Sequence, residues 1–426
     1  MDIYDEISKL RKRFHKLVEE NNLYDAMSVG DYIIYKYKQN NMSKSMRYAD
    51  DLFAIAYVYD EAGDLSRAIR LYMESMTIVK RLKGKNADYA LRANNMATVF
   101  SRKMVYNEAL KLYRDVYEIS LRLYGENSRQ GIDAIYNLGN ALFDSGDYEN
   151  ALRQLKKALS LRSEKDKDYA DNLNSIAYVY EAVGNNEGAI QYLSRALLLI
   201  KNIEGKASHE YLSNLYYLGM FNIKTQQYSN ALDCFQIFMD ISAEVIDSAH
   251  PYCVMCMNEI SEIHRIQGNI DEAINAKIRL LALAEKSIGR NHIYVANVMV
   301  SIALLYKNRK NFKKAIFYTS EALNIKRGLI GENNVGYIKD FILLSSFYFE
   351  DRQFTKTIEM TSSIMSLLED NEYLFSEDMT SLAKIYLHTD RVDFNFDMEP
   401  FLNYDIESLE KLLHEIYKSI DDNMVE

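Results

Sequence analysis

The stretch Ala177-Tyr178-Val179-Tyr180-Glu181-Ala182-Val183-Gly184, closed by Ala189, decides the fold. Ile176, Ala177, Val179 and Tyr180 recur at helical spacing and share one face. Gly184 stops that helix, because glycine enters the left-handed C-cap conformation at little cost. A second helix follows, with Ala189, Ile190, Leu193, Ala196, Leu197 and Ile200 on its inner side. The same unit stands at Ala56-Tyr57-Val58-Tyr59-Asp60-Glu61-Ala62-Gly63 with Ala68, and at Gly139-Asn140-Ala141-Leu142-Phe143 with Gly146 and Ala151. Its closing small residue recurs at Ala26, Ala68, Ala109, Ala151, Ala189, Ala231, Ala273 and Ala315, with Thr357 in the ninth slot. Successive members keep nearly one period, and the interval from Ala151 to Ala189 is the shortest. A fixed period of this length marks stacked helix pairs, none of which can bury its apolar face alone.

Composition agrees. The chain has 426 residues, of which 48% are hydrophobic and 26% charged, so it can bury large cores. Only Pro251 and Pro400 interrupt it, with 16 glycines, which excludes collagen-like, proline-rich or hairpin-dense all-β architectures. Length alone suggests two to four globular domains. The period replaces them with an all-α chain: a right-handed α-solenoid of about nine helix pairs with a C-terminal helical cap. Residues 1–49 read as an N-terminal degenerate repeat, 50–367 as the array, and 368–426 as the cap, because the period breaks there. Helices are expected at Ser381–Leu387 and Ile406–Ile420. In each repeat the closing alanine lets paired helices approach, while an aromatic such as Tyr59, Tyr180, Tyr306 or Tyr348 is expected to fill the space between neighbouring repeats.

These residues resemble the tetratricopeptide repeat family, in the 42-residue form of kinesin light chains and many bacterial regulatory proteins. Supporting positions are the Ala/Gly, Tyr, Gly and Ala columns, plus Lys157-Ala158-Leu159, Arg195-Ala196-Leu197 and Glu321-Ala322-Leu323. Loops such as Tyr124-Gly125-Glu126-Asn127, Ile288-Gly289-Arg290-Asn291-His292 and Ile330-Gly331-Glu332-Asn333, with the pair His250-Pro251, are similar to the family's inter-repeat connection. The likeness runs over residues 50–365, is weak over 8–49, and departs at Thr357 and in repeats without a turn glycine. No long heptad region accompanies the repeats, so the motor-adaptor role is not implied.

The charge balance narrows the function. Lys plus Arg number 51 against 61 Asp plus Glu, a net charge of −10, opposite to what a phosphate-tracking surface needs, so no nucleic-acid partner is expected. Three cysteines in a long chain suggest a reducing compartment, and the acidic N-terminus lacks a signal-peptide core. Ala196–Ile200, the most apolar stretch, is too short to span a bilayer, so a cytoplasmic protein without a membrane partner is expected. Cys253 and Cys256 follow His250 at i+3 and i+6 and could share a helical face, but zinc wants a fourth ligand, and a redox pair wants a βαβ setting. They read as core cysteines, with His264 in the aromatic slot. The histidines His15, His209, His292, His388 and His414 form no catalytic motif, and no glycine-rich phosphate loop exists. No enzyme, cofactor, metal or small-molecule substrate is expected.

The working surface is expected on the first helix of each pair, which lines the concave side of such solenoids. Aligned on the closing alanine, that face carries Asp60, Asn94, Asn95, Arg102, Tyr136, Asn137, Asn140, Asn174, Tyr178, Tyr217, Asn258, Arg265, Asn297 and Lys307. Asp50, Tyr57, Asp133, Asp144, Asp171, Glu181, Tyr216, Lys224 and Lys339 accompany them. An asparagine both donates to and accepts from a peptide backbone, which gives sequence-tolerant affinity; groove asparagines do this in related tetratricopeptide domains. Charge also shifts from acidic over 50–182 to basic over 220–340, so a ligand is expected with its basic or N-terminal end over the first half. The resulting function is a non-enzymatic protein- or peptide-binding scaffold or adaptor. The alternatives are a peptide-sensing regulator similar to Rap-type signal-peptide receptors, or the regulatory subunit of a separately encoded effector enzyme.

Overall fold

The computed structural model describes residues 3–163, 166–245 and 251–369. These form 18 helices in nine sequential pairs, with no strand among the described residues. The pairs are α1 (Ile3–Glu19) with α2 (Leu23–Gln39), α3 (Met46–Glu61) with α4 (Leu65–Lys83), and α5 (Ala87–Arg102) with α6 (Tyr106–Tyr124). Then come α7 (Arg129–Asp144) with α8 (Tyr148–Leu161), α9 (Lys167–Ala182) with α10 (Asn186–Ile203), and α11 (His209–Lys224) with α12 (Tyr228–Val245). The last are α13 (Pro251–Ile266) with α14 (Ile270–Ile288), α15 (Ile293–Asn308) with α16 (Phe312–Ile330), and α17 (Val335–Glu350) with α18 (Phe354–Glu369). The expected helices at 381–387 and 406–420 lie outside the described residues, as do His250, His388, His414 and all of the cap beyond residue 369.

Each hairpin is made by one left-handed residue. Positive φ occurs at Asn21, Gly63, Met104, Gly146, Gly184, Gln226, Gly268, Lys310 and Arg352, each at the same distance before its closing small residue. The repeats without a turn glycine therefore keep the turn and force an ordinary side chain into it. At Lys310 the backbone N–H donates to the Lys307 carbonyl at 2.8 Å, and the next, Asn311 N–H, to the Tyr306 carbonyl at 2.9 Å. These bonds satisfy carbonyls that the helix end would otherwise orphan, and they offset the steric cost of the conformation. Helix starts are also periodic. Ser45, Asn86, Ser128, Ser208, His292 and Asn334 each accept a backbone N–H two or three residues ahead. Each such cap contributes about 1 kcal/mol.

The closing alanines are all buried, and Thr357 takes the ninth slot at 2% exposure by donating its hydroxyl to the Gln353 carbonyl at 3.1 Å. The aromatic slot touches both its own hairpin and the preceding repeat: the Lys156 ammonium on α8 donates to the Tyr180 hydroxyl at 2.7 Å, and Tyr306 shares a core cluster with Leu280 of α14. Tyr180 and Tyr306 stack on Tyr192 and Tyr318 of their own hairpins, at 5.4 and 5.8 Å between centroids, because the second helix places a tyrosine three residues beyond the closing alanine. Tyr59 also bridges repeats, donating its hydroxyl to Asp31 of the preceding pair at 2.8 Å.

Packing divides the chain into two compact units, Met1–Gln227 and Tyr228–Glu426. The first has a core running from Ile7 and Phe14 through Leu52 and Ile55 to Val116, continued by Leu138, Leu155 and Ile176. The second is built on Leu280, Ile302 and Phe347, with Tyr337, Ile338 and Ile364 towards its end.

Candidate functional site

Asp60, Asn94, Asn95, Arg102, Tyr136, Asn137, Asn140, Asn174, Tyr178 and Tyr217 all fall on the first helices of the first unit, α3 to α11. Several are joined to the next repeat by hydrogen bonds or ion pairs whose partners stand one period apart in the sequence. Arg102 pairs with Asp60 and Arg92 with Asp50. The Asn137 side-chain NH2 donates to the Asn94 oxygen at 3.0 Å, and that of Asn214 to the Asn174 oxygen at 2.9 Å. Lys224 pairs with Glu181. Tyr136 and Ser175 hydroxyls share a hydrogen bond of 3.0 Å, and the Tyr178 and Tyr217 rings meet edge to face at 5.7 Å. Since equivalent positions on stacked helices face each other, a polar residue repeated one period later meets its counterpart.

The predicted amides thus split into two kinds. Asn94 and Asn174 spend their oxygens on the next repeat, and their NH2 groups have no hydrogen-bond partner among the described residues. Asn140 is half-buried and makes no side-chain hydrogen bond among the described residues. Asn95 is half-buried beside the Tyr72 hydroxyl, whose pKa burial pushes up. Asp60 is buried, which raises its carboxyl above the usual range, while the Arg102 guanidinium acts against that rise.

In the second unit Asn258 accepts from the Lys277 ammonium at 2.6 Å, and Arg265 pairs with Glu262 of its own helix at 2.7 Å. Asn297 and Lys307 are exposed. Lys277 is buried in a column that elsewhere holds Tyr72, Tyr113 and Leu155, and desolvation lowers its pKa.

Two expectations need correction. Tyr216 is buried instead of facing the groove, and its ring packs against the neighbouring Tyr217 ring at 5.7 Å. The acidic first half is partly neutralised: Asp50, Asp60, Asp133 and Glu181 are paired with Arg92, Arg102, Arg162 and Lys224, while Glu61, Asp144 and Asp171 stand outside these pairs. Charge counted along the sequence misses these pairs, since each partner sits on a helix before or after.

Sequence reasoning also missed Arg92, Asn214 and Glu210, the carboxyl that neighbours the expected Asp171. Arg92 is buried on α5, donates to the Ser75 hydroxyl on α4 at 2.9 Å, and lies over the Phe53 ring at 5.1 Å. Burial first, then hydrogen bonding to Glu210, pushes the Asp171 carboxyl up to about 7. The one-period offset was the signal that could have found the first two. Cys253 and Cys256 are both buried, as the core reading of these thiols expects, and burial pushes the Cys256 thiol up. Among the described residues no group of three or more metal-ligating side chains occurs, and no helix is long and apolar enough to cross a membrane.

Stacked helix pairs whose first helices carry a row of half-buried polar side chains define a repeat scaffold. Tetratricopeptide-repeat family models match residues 89–164, 254–328 and 170–203, so the chain carries tetratricopeptide repeats, which generally mediate protein interactions. No curated protein matches it significantly. Among solved structures it is similar to the apo form of RapI, at 19% identity over 66% of this chain and 97% of that one, with a TM-score of 0.45. It is also similar to BtubC (BKLC) from P. vanneervenii, at 17% identity over 59% and 94%, TM-score 0.43. A third is the C-terminal part of a repeat-containing protein from Cytophaga hutchinsonii, at 14% identity over 65% and 97%, TM-score 0.45.

Proposed function

We propose that the chain is a non-enzymatic protein-binding adaptor whose first unit takes an extended segment of its partner along the first helices of its repeats. The observation that carries this reading is the row of half-buried amides: Asn94 and Asn174 keep NH2 groups unspent among the described residues, and Asn140 keeps its whole amide. A half-buried amide with unused hydrogen-bonding capacity gains about 1 kcal/mol when a ligand backbone completes it. Asn297 and Lys307 offer a separate exposed polar surface in the second unit. We read 50–367 as the working array, with 1–49 as its first, degenerate pair and 368–426 as its cap.

The test is affinity capture with the whole chain, comparing wild type with an Asn137→Ala, Asn174→Ala double variant. Partner affinity is expected to fall at least tenfold while circular dichroism stays near wild type, with melting temperature lowered only as far as two lost inter-repeat hydrogen bonds, about 1 kcal/mol each, require. Unchanged capture by the folded double variant removes the amide row from the function.

A further inference from the structure

We propose that the segment bound by the first unit is uncharged and proline-rich, held in the polyproline II conformation against exposed tyrosine rings. This inference rests on the binding reading above and names the chemistry of its ligand.

The first support is the pairing of charge. Asp50, Asp60, Asp133 and Glu181 each have a cation from a neighbouring helix. A strongly charged segment would have to compete with those pairs, while an uncharged one leaves them intact. Aromatic surface is the second support. Tyr57 on α3 and Tyr217 on α11 are 48% and 36% exposed, and Tyr178 meets Tyr217 edge to face at 85° between ring planes. Tyr57 and Tyr178 occupy the same repeat position, counted back from Ala68 and Ala189. Proline rings pack flat against such faces, and aromatic-lined grooves are the usual receptors of polyproline II ligands.

Hydrogen bonding adds a third. A proline residue has a carbonyl and no N–H, so a proline-rich backbone offers acceptors alone. Asn94 and Asn174 stand at one repeat position, counted back from Ala109 and Ala189, and both turn their oxygens to the next repeat. What they leave for a ligand is the NH2 donor, which carbonyl oxygens need. A helical ligand would satisfy its own carbonyls and make no use of these donors. A polyproline segment also loses little conformational entropy on binding, which suits a shallow face with few anchors.

The experiment measures fluorescence anisotropy of labelled decaproline with the full chain. Glycine-serine, glutamate-rich and lysine-rich peptides of equal length serve as comparators. Decaproline is expected to bind best, with affinity changing less than threefold between 50 and 300 mM salt. Tyr217→Ala and Tyr178→Ala, adjacent rings that one decaproline can cover, should each weaken it about tenfold or more, Tyr217→Phe less than threefold, and Asn174→Ala about fivefold. Two tyrosine variants are used so that local misfolding of one, detected by circular dichroism, leaves the other as the readout. Absence of decaproline binding, tighter binding of a charged peptide with steep salt dependence, or indifference to both folded alanine variants overturns the assignment. If decaproline fails while the Asn137→Ala, Asn174→Ala variant still loses its captured partner, the proline assignment alone falls. If that variant retains its partner, the amide site falls with it.

Discussion

A side chain in this protein is judged by its repeat position before its own chemistry. Lys310 occupies a turn slot with φ of 54°, where Gly63, Gly146, Gly184 and Gly268 stand in other repeats. A Cβ in this conformation costs about 1 kcal/mol. Lys310→Gly is therefore expected to stabilise its hairpin by about 1 kcal/mol, read as a roughly fivefold gain in hydrogen-exchange protection across α15 and α16. Gly131 has the opposite constraint. A Cβ there would lie 2.1 Å from the Gly125 carbonyl oxygen, part of the loop that joins two repeats. Gly131→Ala should cost about 2 kcal/mol or more in a urea titration, because backbone must move to admit it. An effect no larger than that of an ordinary surface substitution, about 0.5 kcal/mol, would mean the loop yields freely.

Between elements, buried polar joints hold neighbouring repeats in register. Arg92 links α3, α4 and α5 through Asp50, Ser75 and the Phe53 ring. Its loss in Arg92→Ala leaves the Ser75 hydroxyl without this donor and strips packing, a cost on the order of 2 kcal/mol by thermal or urea unfolding. The joint between α9 and α11 is sensitive to pH. Asp171 is raised to about 7 by burial and by Glu210, with Lys167 opposing the rise and Asp168 adding to it. Lys167 itself pairs with Glu204 and Glu210 at 2.5 and 2.9 Å. A carboxyl whose folded pKa lies above its unfolded value binds its proton more tightly in the folded state. Its contribution to stability is complete below about pH 4 and is lost as pH rises through 7. Asp171→Asn should match wild type in melting temperature at pH 4.5 and exceed it at pH 8, by on the order of 1 kcal/mol once solvent screening of this half-exposed group is allowed for. A constant difference across that range would show that the Asp171 proton does not govern the joint.

For the whole molecule, each repeat is supported chiefly by its neighbours, so damage should stay local. Lys326 and Asp340 form a buried ion pair at 2.5 Å between α16 and α17. Asp340→Ala leaves a buried ammonium without its partner, costing about 3 kcal/mol. Hydrogen exchange should speed up in α16 to α18 and remain at wild-type rates in α3 to α7. Loss of protection across both regions would instead indicate one cooperative unit, for which nearest-neighbour stability fails.

The amino-acid sequence by itself determined the helix pairs and their approximate number, because period, closing alanine and turn position are local or evenly spaced signals. Ala26 through Thr357 needed no tertiary information to be assigned to the buried seam. It also placed the candidate asparagines on the first helices, since helical spacing fixes which side of a helix a residue occupies. Tertiary structure alone decided what those residues face. Tyr216 and Tyr217 are adjacent in sequence, yet one is buried and the other exposed. Asp50, Asp60, Asp133 and Glu181 are paired because cations one period or one helix away fold onto them. Spacing along a chain fixes orientation within a helix; which atoms come within hydrogen-bond reach across a helix interface depends on how helices stack, and that was settled only in three dimensions.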